Sequence, residues 1–413
     1  MKAFSSVPQY PRLALVVAGI AAMLGAVPAQ AQLSDGVVRI GVMMDMSGPY
    51  SGAGGAGSVL AVKLAVEDMG GTVLGKPIEV IEADDQNKPN VGINLARQWV
   101  ENDKVDTIVT GSASSIALGI QTMMKEKKKP VLFAGPVASD LTGKSCSPMG
   151  IQYVLDTYAL ANGSVSNLLK QGVKTFYFIV VDYTFGASWQ ADATKFIDAA
   201  GAKVIGSVKH PLGATDYSSY LLQAQASKAD AIVFLNAGSD TTNALKQAAE
   251  FRLTQKGQKI AVFGLNLNVV TATGLDVTQG LQFTAPFYWD RDDDSRAWAK
   301  RFMARNKGVA PDYNQTASYS AAYHYLKAVK EAGTDEGVAV MAKMKATPIN
   351  DFEMKNVKIR EDGQVMRPTY GVSIKTPAMS KYPNDFYAIG AEIPGDKIHR
   401  PLAEGGCDLA KAK

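Results

Sequence analysis

Cysteine and histidine are scarce in this sequence, with two and three copies in 413 residues. His210, His324 and His399 stand far apart and in no ligand spacing, so no metal centre is expected. An excess of one charge is also missing. The 43 Lys and Arg face 39 Asp and Glu, for a formal net charge of +4. That balance argues against a nucleic-acid binder, whose basic excess is strong and localised. Apolar residues at 46% and charged residues at 20% make disorder and coiled coil poor readings. Long hydrophobic runs are limited to one. Leu13–Val27 is uncharged but only 15 residues long, short of the roughly 20 needed to span a bilayer. No G-x-S-x-G elbow is present, which removes the usual signature of a serine hydrolase.

That single run sits in a recognisable setting. Lys2 and Arg12 flank its N-terminal side, no acid precedes it, and Pro28-Ala29-Gln30-Ala31 follows with small residues at the A-x-A positions. The pattern predicts a secretory signal peptide over 1–31, with Gln32 as the mature start. Its removal takes Lys2 and Arg12 and lowers the formal charge to +2. No Cys lies near the cleavage site to carry a lipid, so the mature protein is expected to be exported and soluble. An oxidising compartment favours pairing Cys146 with Cys407. Closing a loop of that length would stabilise the fold by roughly 4–5 kcal/mol. Two separate thiols remain the alternative, because sequence does not fix connectivity.

Strand-length apolar runs alternate with helix-period segments. Strands are predicted at Val38–Met44, Ile78–Ala83, Asp106–Thr110 and Val131–Ala134, with helices near Ser58–Met69, Val91–Glu101 and Ser115–Lys127 between them. The pattern restarts around Ile151–Asp156. Helices Thr157–Lys170, Ser188–Ala199, Ser218–Ser227 and Thr241–Phe251 then alternate with strands Thr175–Val181, Lys203–Val208, Ala231–Asn236 and Ile260–Gly264. A strand at Gly280–Phe287 is followed by helices Ser295–Asn306, Gln315–Ala332 and Glu336–Lys345, then by short strands and turns from Val357. Such alternation implies parallel sheets covered by helices, in two successive βαβ units to which later segments are added. A chain that leaves and re-enters its lobes leaves a cleft between them.

Three motifs invite an enzyme or metal reading and lack the required context. Gly52-Ala53-Gly54-Gly55-Ala56-Gly57 fits G-x-G-x-x-G, but Asp45–Ser51 separates it from the strand, whereas a dinucleotide fingerprint follows the strand directly. Ala138–Ser145 fits a loose P-loop, yet Pro148 and Gly150 argue against the helix that a phosphate cradle needs. Asp290–Asp294 opens like a calcium loop, but position six is Ser295 and position twelve is Arg301. Asp294 and Ser295 are expected instead to cap the next helix. No cofactor is expected.

Ligands of open α/β sheets bind beyond the C-terminal strand ends. Those positions read Met46-Ser47-Gly48-Pro49-Tyr50-Ser51-Gly52, Ala83-Asp84-Asp85 and Gly111-Ser112-Ala113-Ser114-Ser115 in the first unit. The second gives Val181-Asp182-Tyr183-Thr184-Phe185-Gly186, Asn236-Ala237-Gly238-Ser239-Asp240 and Gly264-Leu265-Asn266. In this order they resemble the periplasmic solute-binding proteins of ABC transporters, of the branched-chain amino-acid type, over nearly the whole mature chain. The resemblance implies an α/β protein with two Rossmann-like lobes, the type I periplasmic binding fold, joined by a three-crossing hinge near Leu155, Pro286 and Asp351. Lobe 1 would comprise 32–154 and 286–350, lobe 2 155–285 and 351–390, and 391–413 a C-terminal tail. It further implies a periplasmic monomer that closes on a small solute and delivers it to the permease subunits of an ABC transporter, without chemistry. A sensor signalling to a partner protein, or a secreted enzyme using the same cleft, are the rival readings.

The resemblance assigns the solute carboxylate to Ser114 and Ser115, with helix capping as the competing role. The family's second carboxylate contact, a Thr, falls near Val137 or Ala138, with no hydroxyl until Ser139. Its second-lobe Tyr corresponds to Phe185, and the Glu that meets the ammonium group to Asn266. Tyr50, Tyr183, Phe185 and Trp189 add aromatic surface near the cleft, unless Phe185 and Trp189 are core residues of the following helix; Asn236 completes the candidate set. A buried ammonium needs a compensating charge. Losing Glu therefore points to a carboxylate without an amine, aromatic or otherwise, unless Asp182 or Asp240 supplies the charge.

Overall fold

Val38–Met44 is apolar on both faces, which suits a strand covered on both sides, and it becomes β1 at the centre of a six-stranded sheet. The computed structural model describes residues 1–3 and 33–410; positions 4–31 of the predicted leader lie outside the described residues. After β1 come α1 (Gly55–Asp68), β2 (Thr72–Val73), β3 (Lys76–Asp84), α2 (Pro89–Glu101), β4 (Thr107–Thr110), α3 (Ser114–Lys127), β5 (Val131–Phe133) and β6 (Gly150–Gln152). The order is β2-β3-β1-β4-β5-β6, parallel except for the short β2.

The second unit runs α4 (Thr157–Lys170), β7 (Thr175–Val181), α5 (Thr184–Ala199), β8 (Lys203–His210), α6 (Ser218–Ala226), β9 (Ala231–Leu235), α7 (Gly238–Glu250) and β10 (Lys259–Val262). Its parallel sheet has the order β10-β9-β7-β8. Two short helices, α8 (Leu267–Thr273) and α9 (Leu275–Thr278), lead to β11 (Gln282–Ala285). Helices α10 (Asp293–Arg305), α11 (Tyr313–Ala332) and α12 (Gly337–Ala346) follow, then β12 (Thr369–Ile374), β13 (Tyr387–Ile393) and α13 (Gly395–Ile398). Trp298, Phe302 and the inner face of α11 return to the core of the six-stranded sheet.

Several sequence expectations are corrected. β11 does not extend the parallel sheet; it pairs antiparallel with β12, and β12 with β13, in a third sheet. Met354, Val357, Ile359 and Val365 pack with the first core, so the segment after Asp351 stays on that side until about residue 366, beyond the expected third crossing. The α10 cap is Asp292, whose carboxylate accepts from Ser295 N at 2.8 Å, in place of Asp294 or Ser295. Helices α1, α5 and α7 begin at Gly55, Thr184 and Gly238, three or four residues ahead of their apolar periodicity.

The passages between sheets are stitched by one buried side chain. Arg367, 1% exposed, donates to Tyr153 O at 3.0 Å and Pro286 O at 3.1 Å, and pairs with buried Glu353. Cys146 and Cys407 form a disulfide with a Cα–Cα distance of 5.6 Å. The tail it secures also gives Lys397 O and Ile398 O to Asn162 of α4, and Glu404 to Lys195 of α5. It therefore holds on to both parallel sheets' surroundings.

Candidate ligand-binding cleft

The loops at the C-terminal ends of both parallel sheets face each other around a cavity of about 60 Å³. A water needs roughly 10–15 Å³ on this measure, so the space holds a handful of waters or a small organic molecule. Its walls come from the starts of six helices: Gly54 and Gly55 of α1, Ala113 and Ser114 of α3, Tyr183 and Phe185 of α5, Ala237 before α7, Asn266 before α8, and Tyr313 and Asn314 of α11. The first N–H groups of a helix lack intrahelical partners and carry its positive dipole end. Several such ends converge here, and no Lys, Arg or His is among the lining residues.

Five of the eight expected site residues line this space: Tyr50, Ser114, Tyr183, Phe185 and Asn266. Ser114 does not cap α3. Ala113 occupies the cap position without a side-chain bond, Ser114 and Ser115 are the first helical residues, and Ser114 Oγ accepts from Ala138 N at 3.3 Å. Tyr50 and Tyr183 meet across the cleft, hydroxyl to hydroxyl at 2.7 Å. Burial holds both phenols above their usual range. Asn266 donates Nδ2 to Asp312 at 3.0 Å. Asp312 is buried, also accepts from Leu267 N and Tyr313 N, and is pushed up to about 6 by desolvation.

The other three are placed elsewhere. Ser115 is half-buried and off the cavity wall. Ser139 lies beside Ser188, with its Oγ 3.2 Å from the neighbouring hydroxyl, and its carbonyl accepts from Arg400. Asn236 is spent inside the second unit: its Nδ2 is 3.1 Å from His210 Nε2 and its Oδ1 accepts from Thr241. Asp182 pairs with Lys209 on the surface, and Asp240 is buried beside Gly213 N; neither lines the cavity. Among the described residues no His, Cys, Asp and Glu cluster could hold a metal ion.

Sequence reasoning missed Asp45, Gly54, Gly55, Tyr313 and Asn314. Asp45 is the one charged residue on the wall; its oxygens accept from Gly48 N at 2.5 Å and Tyr50 N at 2.9 Å, which folds the β1–α1 loop. Tyr313 and Asn314 are the two inner positions of the capping box of Asp312 and Gln315, legible in the sequence as D-x-x-Q, but only the chain's return to the first sheet brings them to the cleft.

Two lobes of parallel sheet around a helix-start cavity define a class of solute-binding proteins, and the comparisons agree. Residues 37–380 match the family described as periplasmic binding protein. A periplasmic binding protein from Burkholderia mallei is 43% identical, with a TM-score of 0.88 over 91% of this chain and 99% of that one. A branched-chain amino acid ABC transporter periplasmic ligand-binding protein from Burkholderia xenovorans is 37% identical, with a TM-score of 0.80 over 90% and 100%. The chain belongs to the periplasmic binding protein family, with the type I fold, and so stands among binding proteins and not enzymes. A solute-binding protein from Rhodopseudomonas palustris solved with benzoate shares the fold at 18% identity and a TM-score of 0.78, over 90% and 99%. Among curated relatives, a Leu/Ile/Val-binding protein homolog of Brucella melitensis is 23% identical over 223 residues, and the match spans 56% of its length. No helix among the described residues is long and apolar enough to cross a membrane.

Proposed function

We propose that this protein is the exported, monomeric receptor of an ABC importer, closing its cleft on a small organic carboxylate that carries no amine and passing it to the permease subunits. The lobes would turn about the passages near Leu155, Pro286 and residues 366–368. The observation that carries the reading is the wall itself: several helix starts and the Ser114 hydroxyl face a cavity that no cationic side chain lines. Such donors suit an anion without bringing a permanent charge of their own. Asn266, which the resemblance matches to the family's ammonium-binding Glu, lines the cavity as an amide, and Phe185, Tyr183 and Trp189 offer an apolar body its contacts. Since both lobes contribute walls, binding favours the closed arrangement.

One observation favours a rival. Asp45 lies on the wall, so an amino acid could set its ammonium group against that carboxylate. We assign Asp45 to the loop, because both of its oxygens already accept backbone N–H groups there. A thermal-shift panel of aliphatic amino acids, benzoates, cinnamates and short keto acids tests the choice. Stabilisation grows as RT ln(1 + [L]/Kd), so a solute at about 100 times its Kd adds roughly 2.7 kcal/mol. The aromatic members of the panel follow the benzoate-bound fold relative. Clear stabilisation by an amine-free acid is expected; strong stabilisation by leucine or valine instead would overturn the solute assignment.

A further inference from the structure

Trp189, a residue of the cavity wall, carries a buried hydrogen-bond donor with no partner in the protein. The residue is 2% exposed, lines the cavity, and packs against Phe185 at 4.9 Å and Phe263 at 6.2 Å between ring centroids. Its Nε1–H is buried and meets no acceptor of the protein. A buried indole N–H normally finds a partner, because leaving it unpaired forfeits the hydrogen bond it made to water. Trp298 Nε1 is also unpaired, but that ring is enclosed by Phe302, Tyr319 and Phe352 in the first core and lines none of the cleft. Trp189 differs in having an opening beside it.

Asn314 Oδ1 on the wall is also buried without a partner, but it can only accept; other polar side chains of the wall are committed. The Tyr50 and Tyr183 hydroxyls bond each other, Asn266 gives Nδ2 to Asp312, and Asp45 accepts two backbone N–H groups. Ser114 accepts from Ala138 N and keeps its own hydroxyl hydrogen to donate. Together with the free amides at the start of α3, it can serve both oxygens of a carboxylate. The Trp189 donor comes from α5, on the other sheet, and is surplus to that requirement.

We propose that Trp189 is a specificity-determining residue whose indole N–H receives a second acceptor on the solute, so that the preferred ligand is an acid bearing a further keto, hydroxyl or carboxylate oxygen. This rests on the reading that the solute is a carboxylate held at α3. A site built around a hydrogen bond rejects the analogue lacking the acceptor, because its buried donor is then left unpaired.

Matched acids test it by titration calorimetry: benzoate against 4-hydroxybenzoate, and 4-methylpentanoate against 4-methyl-2-oxopentanoate, each with the wild-type protein and with Trp189→Phe, which keeps the aromatic packing. In at least one pair the acceptor-bearing acid should bind wild type about tenfold or more tightly than its plain counterpart. In Trp189→Phe that preference should fall below about threefold, the acceptor-bearing acid losing more affinity than its plain counterpart. The Trp189 indole N–H resonance, assigned by its loss in the variant, should move downfield when the preferred acid is added. An equal preference in both proteins, equal weakening of both members of a pair, or a resonance that does not move at saturation would overturn the proposal while leaving carboxylate binding in place. If none of the four acids binds the folded wild type, the carboxylate reading fails and this inference falls with it.

Discussion

Ser114 gives the proposed anion binding its simplest test. Its hydroxyl lines the cavity at the first turn of α3, and its Oγ also accepts from Ala138 N. Ser114→Ala should weaken a bound acid by about 1–3 kcal/mol, read as a 5- to 150-fold rise in Kd by calorimetry. An unchanged Kd would reduce Ser114 to a strut for the 136–138 loop. Asp312, behind Asn266, gives a pH signature. Its folded value near 6 exceeds the ordinary carboxylate value of about 3.9, because burial penalises the charge. Between those values the folded chain holds a proton that the unfolded chain has released, so Asp312 contributes more stability as pH falls from 7.5 to 5.5. The gain is on the order of 1 kcal/mol. Asp156 and Asp240, also near 6, act in the same direction. His210, His324 and His399, buried with lowered values, act in the opposite one, since the unfolded chain protonates them first. These opposing contributions overlap in the wild-type curve, so the readout is the stability difference between wild type and Asp312→Asn, which should grow in favour of wild type at pH 5.5. A difference independent of pH would place Asp312's titration elsewhere. The sequence pointed to Asn266 as a candidate but not to its partner Asp312, because 46 positions separate them.

At the scale of elements, the helix starts were the hardest feature to read and the most consequential. Gly55, Ala56 and Gly57 open α1, and Gly238 opens α7, with small residues that give no apolar period. Gly55 lies on the cavity wall, Gly57 against Gln315 and Gly238 against Pro49, close approaches that leave no room for an apolar side chain. The strands were legible because burial on both faces leaves continuous apolar runs, as at Val38–Met44 and Thr175–Val181. The third sheet was not, because β11 and β12 pair across more than eighty residues of intervening chain. Gly238 shows what the helix starts do. It has φ +59, and a Cβ there would lie 2.2 Å from Pro49 O, where Ser239 N now donates at 3.1 Å from across the cleft. Gly238→Ala should hold the two loops apart and weaken solute binding by about tenfold or more, while the chain still folds. Gly201→Ala, also at positive φ but with nothing within 4 Å, controls for backbone strain and should leave affinity unchanged. Equal affinities for the two variants would mean that the Pro49 contact is not part of closure.

On the scale of the whole molecule, passages between sheets and the tail decide how the lobes are held. The two cysteines could be paired or separate as far as the sequence goes; the structure joins them, tying a loop beside the first sheet to a tail that also grips α4 and α5. Replacing both with Ser should lower unfolding stability by up to about 5 kcal/mol, given the 261-residue separation, measured by urea denaturation. An unchanged midpoint would show that the tail's other contacts suffice. The family resemblance read from ordered strand-end motifs extends over the whole architecture, while the location of the third passage and Arg367's bonds to Tyr153 and Pro286 required the folded chain. The central claim is that this cleft takes a carboxylate and no ammonium group. Titration calorimetry of the purified protein with leucine and 4-methylpentanoate, and with phenylalanine and 3-phenylpropionate, tests it directly. The account predicts that an amine-free acid binds and that its amino-acid counterpart binds at least about a hundredfold more weakly, the cost of an unpaired buried charge. An amino acid that binds more tightly than its amine-free counterpart would contradict it.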